Sequence, residues 1–209
     1  MKRQLKLLAA LMLTGVLSMA TSCDNNKKPE AENPEDAQEL AVSATDDLWH
    51  YFSFTTGAEV GKGAEDATDN AAWFARKDWD IAFKKSAIRT NSGAATTVGA
   101  QGGVYTFAED VTFANANLPN GAVFVADKVV KEEAMGHDGF VETVKSEATV
   151  ILFKKNAAGE MIMPPVYQKA PVYAFRTADG LGIYKVEFTQ YKDAEGVSGK
   201  ILFNVQKMN

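Results

Sequence analysis

The chain has 209 residues, 46% of them hydrophobic and 23% charged, with one cysteine and a formal net charge of −5. That length and apolar share are enough for one globular domain with a core of its own. The acidic balance argues against a nucleic-acid partner, and a lone cysteine excludes an internal disulfide.

Residues 1–22 read as a signal peptide. Lys2, Arg3 and Lys6 precede an apolar run from Leu7 to Leu17, and small residues lead up to Cys23. The run is too short and wrongly flanked for a membrane span. Cys23, preceded by Ala-Thr-Ser, resembles the lipobox of a bacterial lipoprotein, with Ala20 in place of the usual Leu. On that resemblance the Cys23 thiol is acylated and the chain is exported and membrane-tethered, each buried CH₂ of the lipid holding by about 0.8 kcal/mol. Removing the leader takes away three basic residues and no acidic one, leaving 19 basic against 27 acidic residues and a net charge of −8. Residues 23–45, mostly Asn, Glu, Pro and Ala, then read as the lipidated Cys and a flexible tether.

The domain is expected over 46–209. In "LWHYFSF", Trp49, Tyr51 and Ser53 alternate with His50, Phe52 and Phe54, the period of a strand. "ATDNAAWFARKDWD" holds one helical turn. "WDIAFKKSAIRTNSG" (Trp79–Gly93) reads as a half-buried central strand, Asp80 and Ala82 on one face and Trp79, Ile81 and Phe83 on the other, followed by a tight polar exit at Arg89–Gly93. Further strands are expected at Gly103–Phe107, Ala122–Val125, Ala148–Phe153, Val172–Phe175, Ile183–Tyr191 and Lys200–Val205. Turn sequences such as "LPNG", "NAAG", "TADG" and "AEGVSG" separate them. "ADKVVKEEAMGHDGF" reads equally as a short helix or as a strand with a loop. The fold class is all-β, a single antiparallel domain.

Catalytic signals are sparse. The chain has only two histidines, His50 and His137, and no HExxH, phosphate-cradling Gly loop or cysteine nucleophile. A carboxylate pair of glycosidase type is available to any acidic protein and points nowhere by itself. The expectation is a protein that is not an enzyme.

Three blocks carry a resemblance: "YFSF", the Trp79–Gly93 stretch with its "RTNSG", and the ending "VYAFRTADG" with "YKVEFTQYKDAEGVSGKILFNV". Together they resemble the HmuY family of haem-binding lipoproteins, from about Leu48 to the C-terminus. The resemblance implies an all-β domain with a haem cleft formed by loops of the C-terminal half. It also implies haem b (iron protoporphyrin IX) as cargo and an outer-membrane lipoprotein at the cell surface, also released in soluble form or on vesicles. The partners it implies are a TonB-dependent outer-membrane haem receptor and host or community haemoproteins. Trp79–Gly93 is scaffold on this reading, as is His50.

The family pattern of two histidine ligands does not fit, because no histidine follows His137. The resemblance extends to members that ligate iron through methionine. Met135 falls in the first ligand region, with His137 as its alternative, and "GEMIMPP" falls in the second. Met161 and Met163, two apart on an extended segment, point the same way about 6–7 Å apart, so one iron cannot sit between them. The expected axial pair is Met135 with Met163, the alternatives being Met161 and His137. A thioether is soft and proton-independent, and suits ferrous haem. Phe140, Tyr167 and Tyr173 are candidate cleft walls, and Lys154, Lys155 and Lys169 candidate partners for propionates. The competing reading is a surface lipoprotein of the same fold that binds another ligand or a protein and no haem.

Overall fold

The computed structural model describes residues 37–133 and 139–209. Cys23, Met135 and His137 lie outside the described residues, as do the leader and most of the expected tether. In chain order the elements are β1 (Gln38–Ser43), β2 (Trp49–Ser53), β3 (Ala58–Gly63), α1 (Ala67–Phe74), β4 (Ile81–Lys84), β5 (Ala87–Thr90) and β6 (Gly103–Thr106). There follow β7 (Lys128–Glu133), β8 (Phe140–Lys145), β9 (Ile151–Phe153), β10 (Tyr167–Lys169), β11 (Tyr173–Arg176), β12 (Ile183–Lys192) and β13 (Ser198–Met208).

All pairing is antiparallel, in a five-stranded sheet of order β1-β13-β12-β11-β6, a four-stranded sheet of order β3-β2-β4-β5, and two separate hairpins, β7–β8 and β9–β10. The all-β expectation holds. One core lies between the two large sheets: Phe52, Ile81, Phe83 and Ile88 from the four-stranded sheet meet Tyr173, Phe175, Phe188, Ile201 and Phe203 from the other. This is the face-to-face packing that buries the inward residues of each strand.

The outer face of the four-stranded sheet is also covered. Trp49, Tyr51, Trp79 and Ala82 form a second cluster with Trp73 of α1, whose ring stacks on Tyr51 at a centroid distance of 3.9 Å. The alternation of "LWHYFSF" is therefore real, but both faces are buried, Trp49 and Tyr51 under α1 and Phe52 and Phe54 in the main core. β4 is central as expected, yet buried on both sides rather than half-buried. Trp79 does not share a face with Ile81 and Phe83, because regular strand alternation begins only at Ile81.

Three other expectations change, and one left open is decided. The polar exit proves to be a strand: the chain turns at Lys85–Ser86, with Lys84 opposite Ala87, and Arg89 and Thr90 belong to β5. Residues 38–43, read as tether, form β1, because Leu40 and Val42 give just enough period-2 pattern to pair with β13. Ala122–Val125 contributes only a bridge from Val125 to Val104. The segment left open between helix and strand supplies β7 and the start of β8.

Two side chains of the Trp79–Gly93 stretch hold the layers together. The Asp80 carboxylate accepts hydrogen bonds from Phe54 N (2.8 Å) and Ala178 N (2.9 Å), linking the end of β2 to the loop after β11. Arg89 is 1% exposed; it donates to Glu65 at 2.5 Å and Asn70 at 3.1 Å and lies 3.9 Å from the Trp49 ring centroid.

Candidate functional site

The two hairpins outside the sheets carry most of the exposed apolar surface. Eleven large apolar side chains are exposed among the described residues. Seven of them, Val129, Phe140, Val141, Met161, Met163, Val166 and Tyr167, lie on β7–β8 and on β9–β10 with its connecting loop. A concentration of that kind marks a binding surface, whereas single exposed apolar residues are ordinary.

Both hairpins are rooted on β5 and its turn. Asp127, just ahead of β7, accepts from Thr90 N (2.8 Å) and Thr90 Oγ1 (2.6 Å), while its own N–H donates to Ser92 Oγ (2.8 Å). Burial pushes the Asp127 carboxyl above the usual carboxylate range. On the other side Thr149 bridges Ala87, and Thr149 Oγ1 and Val150 N both donate to Ser86 O, at 2.9 and 3.0 Å. The "RTNSG" stretch is thus scaffold with a specific job: it fixes where β7 departs, and the preceding turn fixes where β9 begins.

The first hairpin is solubilised by charge pairs, Lys128 with Glu147 (3.6 Å), Lys131 with Glu142 (3.4 Å) and Lys145 with Glu132. Its strands close the register at Glu133 opposite Phe140, so residues 134–139, which include Met135 and His137, make the connection. Phe140 is 70% exposed at the edge of that connection.

The second hairpin narrows toward its tip. Lys154 N donates to Val166 O, Ile162 N to Lys154 O, and Asn156 N to Glu160 O, with Met161 bridging Lys155. Asn156 Oδ1 accepts from Ala158 N and Glu160 N, so the side chain writes the turn. Exposure runs high, intermediate, high through Met161, Ile162 and Met163, with Met161 in a bridge and Met163 at a bend whose Met163–Pro164 peptide is cis. Met161 is 46% and Met163 73% exposed. Methionines serving as core filler would be buried.

The remaining candidates divide. Tyr167 packs on Phe153 and Tyr191, with Lys192 Nζ 4.4 Å from its ring centroid, beside a cavity of about 330 Å³ between β9–β10 and the end of β12. Tyr173, expected as a cleft wall, is instead a core residue. It is 1% exposed, and its hydroxyl accepts from Thr149 N at 3.3 Å, bracing the root of the second hairpin. Lys169 pairs with Glu187 at 2.5 Å. Lys154 and Lys155 pair with no carboxylate among the described residues. His50 is fully buried, with Nε2 at 2.7 Å from Asp46 and Nδ1 at 2.9 Å from Glu59; both ring nitrogens are engaged, so its part is structural. Val129, Val141 and Val166 are not marked by the sequence pattern: the adjacent valines of "KVVKEE" and the "FVETVK" stretch show no strict alternation, and Val166 follows Pro164-Pro165.

The HmuY protein family model matches residues 45–205, which takes in both hairpins, the four-stranded sheet and the five-stranded sheet without β1 and the end of β13. The chain belongs to the HmuY family. No curated protein matches it. Among solved structures, a candidate HmuY-like heme binding protein from Bacteroides vulgatus is similar at TM-score 0.56 and 21% identity, over 81% of this chain and 90% of that one. Apo PinO from Porphyromonas gingivitis is similar at TM-score 0.55 and 20% identity, over 83% and 98%. The apo HmuY analog of Tannerella forsythia is similar at 0.51 and 17%, over 85% and 100%. At these identities the likeness is one of fold.

Proposed function

We propose that this HmuY-family chain is a haem-binding lipoprotein that captures haem and delivers it to a TonB-dependent outer-membrane haem receptor. One observation carries the reading: the exposed apolar residues gather on two hairpins, and the second presents Met161 and Met163 to solvent. Such a surface suits a flat, largely apolar cargo gripped from two sides. Met163 and Met135 would hold the iron, Met161 and His137 being the alternatives. Thioether sulfur supplies a soft, uncharged ligand whose hold does not depend on a proton. Phe140 and Tyr167 cover the faces of the cargo, and Lys154 and Lys155 meet its carboxylates. The protein carries haem b and does no chemistry on it. Acylated Cys23 anchors it to the outer membrane at the cell surface.

The test is a haemin titration of the soluble chain from Asp24 to Asn209, with visible spectra in air and after dithionite. A saturable one-to-one change, with sharp α and β bands on reduction, is the expected result. Met163→Ala should abolish those bands if Met163 is the ligand, and the same substitution at Met135, Met161 and at His137 names the pair. No saturable change in either redox state would leave the competing reading, a surface lipoprotein of this fold that serves another ligand.

A further inference from the structure

The three most exposed large apolar side chains among the described residues are not on the hairpins. They are Leu181 (88%), Val98 (82%) and Val123 (74%). Each stands on a loop, and the three loops are joined. Gln101 N donates to Ala178 O at 2.8 Å, tying the loop of Val98 to that of Leu181. The Arg176 guanidinium lies 5.1 Å from the ring centroid of Phe124, next to Val123, and Arg176 Nε donates to Gln101 O at 2.5 Å.

The sheet register places these loops at one end of the five-stranded sheet. β11 ends there at Arg176, opposite Gly103 at the start of β6, and β12 begins there at Ile183, opposite Met208 at the end of β13. β1 enters at the same end, with Gln38 opposite Val205. The first hairpin leaves from beside this end, at Asp127 on Thr90, two residues after the Val125–Val104 bridge, whereas the second is rooted toward the other end. β9 and β10 join near Ser86 and the far end of β12, which is also where Val197, the fourth exposed apolar residue off the hairpins, follows Lys192.

We propose that the loops carrying Val98, Val123 and Leu181 are a membrane-seating face, whose occupant is the phospholipid surface that holds the anchor. The proposal rests on the lipoprotein reading of Cys23. Fourteen residues separate Cys23 from Gln38, which limits the reach from lipid to Gln38 to about 50 Å at full extension. The anchor is therefore tethered within that reach of the end at which β1 begins. Apolar tips there enter the headgroup boundary to a depth of about 5–10 Å, as interfacial anchors do. Water-exposed Val and Leu at loop tips gain nothing for the fold, while at a lipid surface each removes apolar area from water. Seating by this face leaves the second hairpin, with Met161 and Met163, at the end away from the membrane.

The test uses the full lipidated chain reconstituted on vesicles of phosphatidylethanolamine and phosphatidylglycerol. Nitroxide labels are attached in turn to Val98→Cys, Val123→Cys and Leu181→Cys, with Glu160→Cys on the second hairpin and Val197→Cys as controls; Cys23 is blocked by its acyl chain. The expected result is a several-fold loss of collision with a water-soluble nickel complex at 98, 123 and 181, relative to the same labels on the lipid-free chain, and no change at 160 and 197. Cosedimentation with vesicles and unchanged accessibility at all five positions would overturn the seating face while leaving the anchor standing. Failure to cosediment would remove the anchor itself, and the proposal with it.

Discussion

Asp80 is 4% exposed and accepts two backbone hydrogens, from Phe54 and from Ala178, which lies 98 residues further along the chain than Asp80 itself. An amide in its place presents one NH₂ where an acceptor is needed, leaving Phe54 N or Ala178 N unpaired in the interior. Asp80→Asn is expected to cost about 1–3 kcal/mol at pH 7, read from the urea midpoint. Asp46 shows the opposite balance, its carboxyl held down at about 2, first by the hydrogen bond to His50. A depressed carboxylate adds stability above its ordinary value of 3.8, and that contribution is lost as the pH falls through about 2. Wild type should therefore lose stability between about pH 4 and pH 2 relative to Asp46→Asn, in parallel acid titrations followed by circular dichroism. Equal acid limbs would mean that the His50 contact holds nothing.

At the scale of elements, β3 and α1 form one unit that depends on missing side chains. A Cβ on Gly63 would stand 2.5 Å from Trp73 Nε1, and one on Gly61 would stand 2.6 Å from Trp73 Cη2. Gly63→Ala should push the indole off its stack on Tyr51 and cost about 1–3 kcal/mol by overpacking. In a Trp73→Ala background the same change should be close to neutral, and the double-mutant cycle measures the difference. This unit also marks what the sequence hides. β3 reads "AEVGKG", poor in strand formers, because its glycines answer to a Trp ten or more residues away. The aromatic strands were legible because Phe52, Phe83, Phe175 and Phe203 bury themselves whatever lies opposite. Met161 and Met163 stood out as a pair in a Gly/Pro-bounded loop, and the structure puts both at the surface. Tyr173 misled, since an aromatic reads alike whether it lines a cleft or fills a core, and only the neighbouring sheet decides.

For the molecule as a whole, the two large sheets share one core, and polar contacts from β5 and its turn hold the roots of both hairpins. Thr90 makes two of those contacts to Asp127, and Ser86 O takes two more from Thr149 and Val150. Thr90→Val keeps the shape of the side chain, removes the hydroxyl, and leaves Asp127 Oδ1 without its 2.6 Å donor in a buried site. A buried carboxylate short of a partner costs about 1–3 kcal/mol or more. Because Asp127 leads directly into β7, the loss should fall first on the first hairpin. Amide exchange in β7–β8 should quicken well before that of β12 and β13, which lie in the shared core. Met163→Ala is the counterpart: its side chain is 73% exposed, so stability should stay within about 0.5 kcal/mol while the spectroscopic signature of bound haemin changes. The pair separates attachment from ligation. If Thr90→Val weakened haemin binding with an unaltered coordination spectrum, the scaffold would be setting the spacing of the two hairpins. If it quickened exchange uniformly through both sheets, Asp127 would be a core tie and the hairpin would have no separate root.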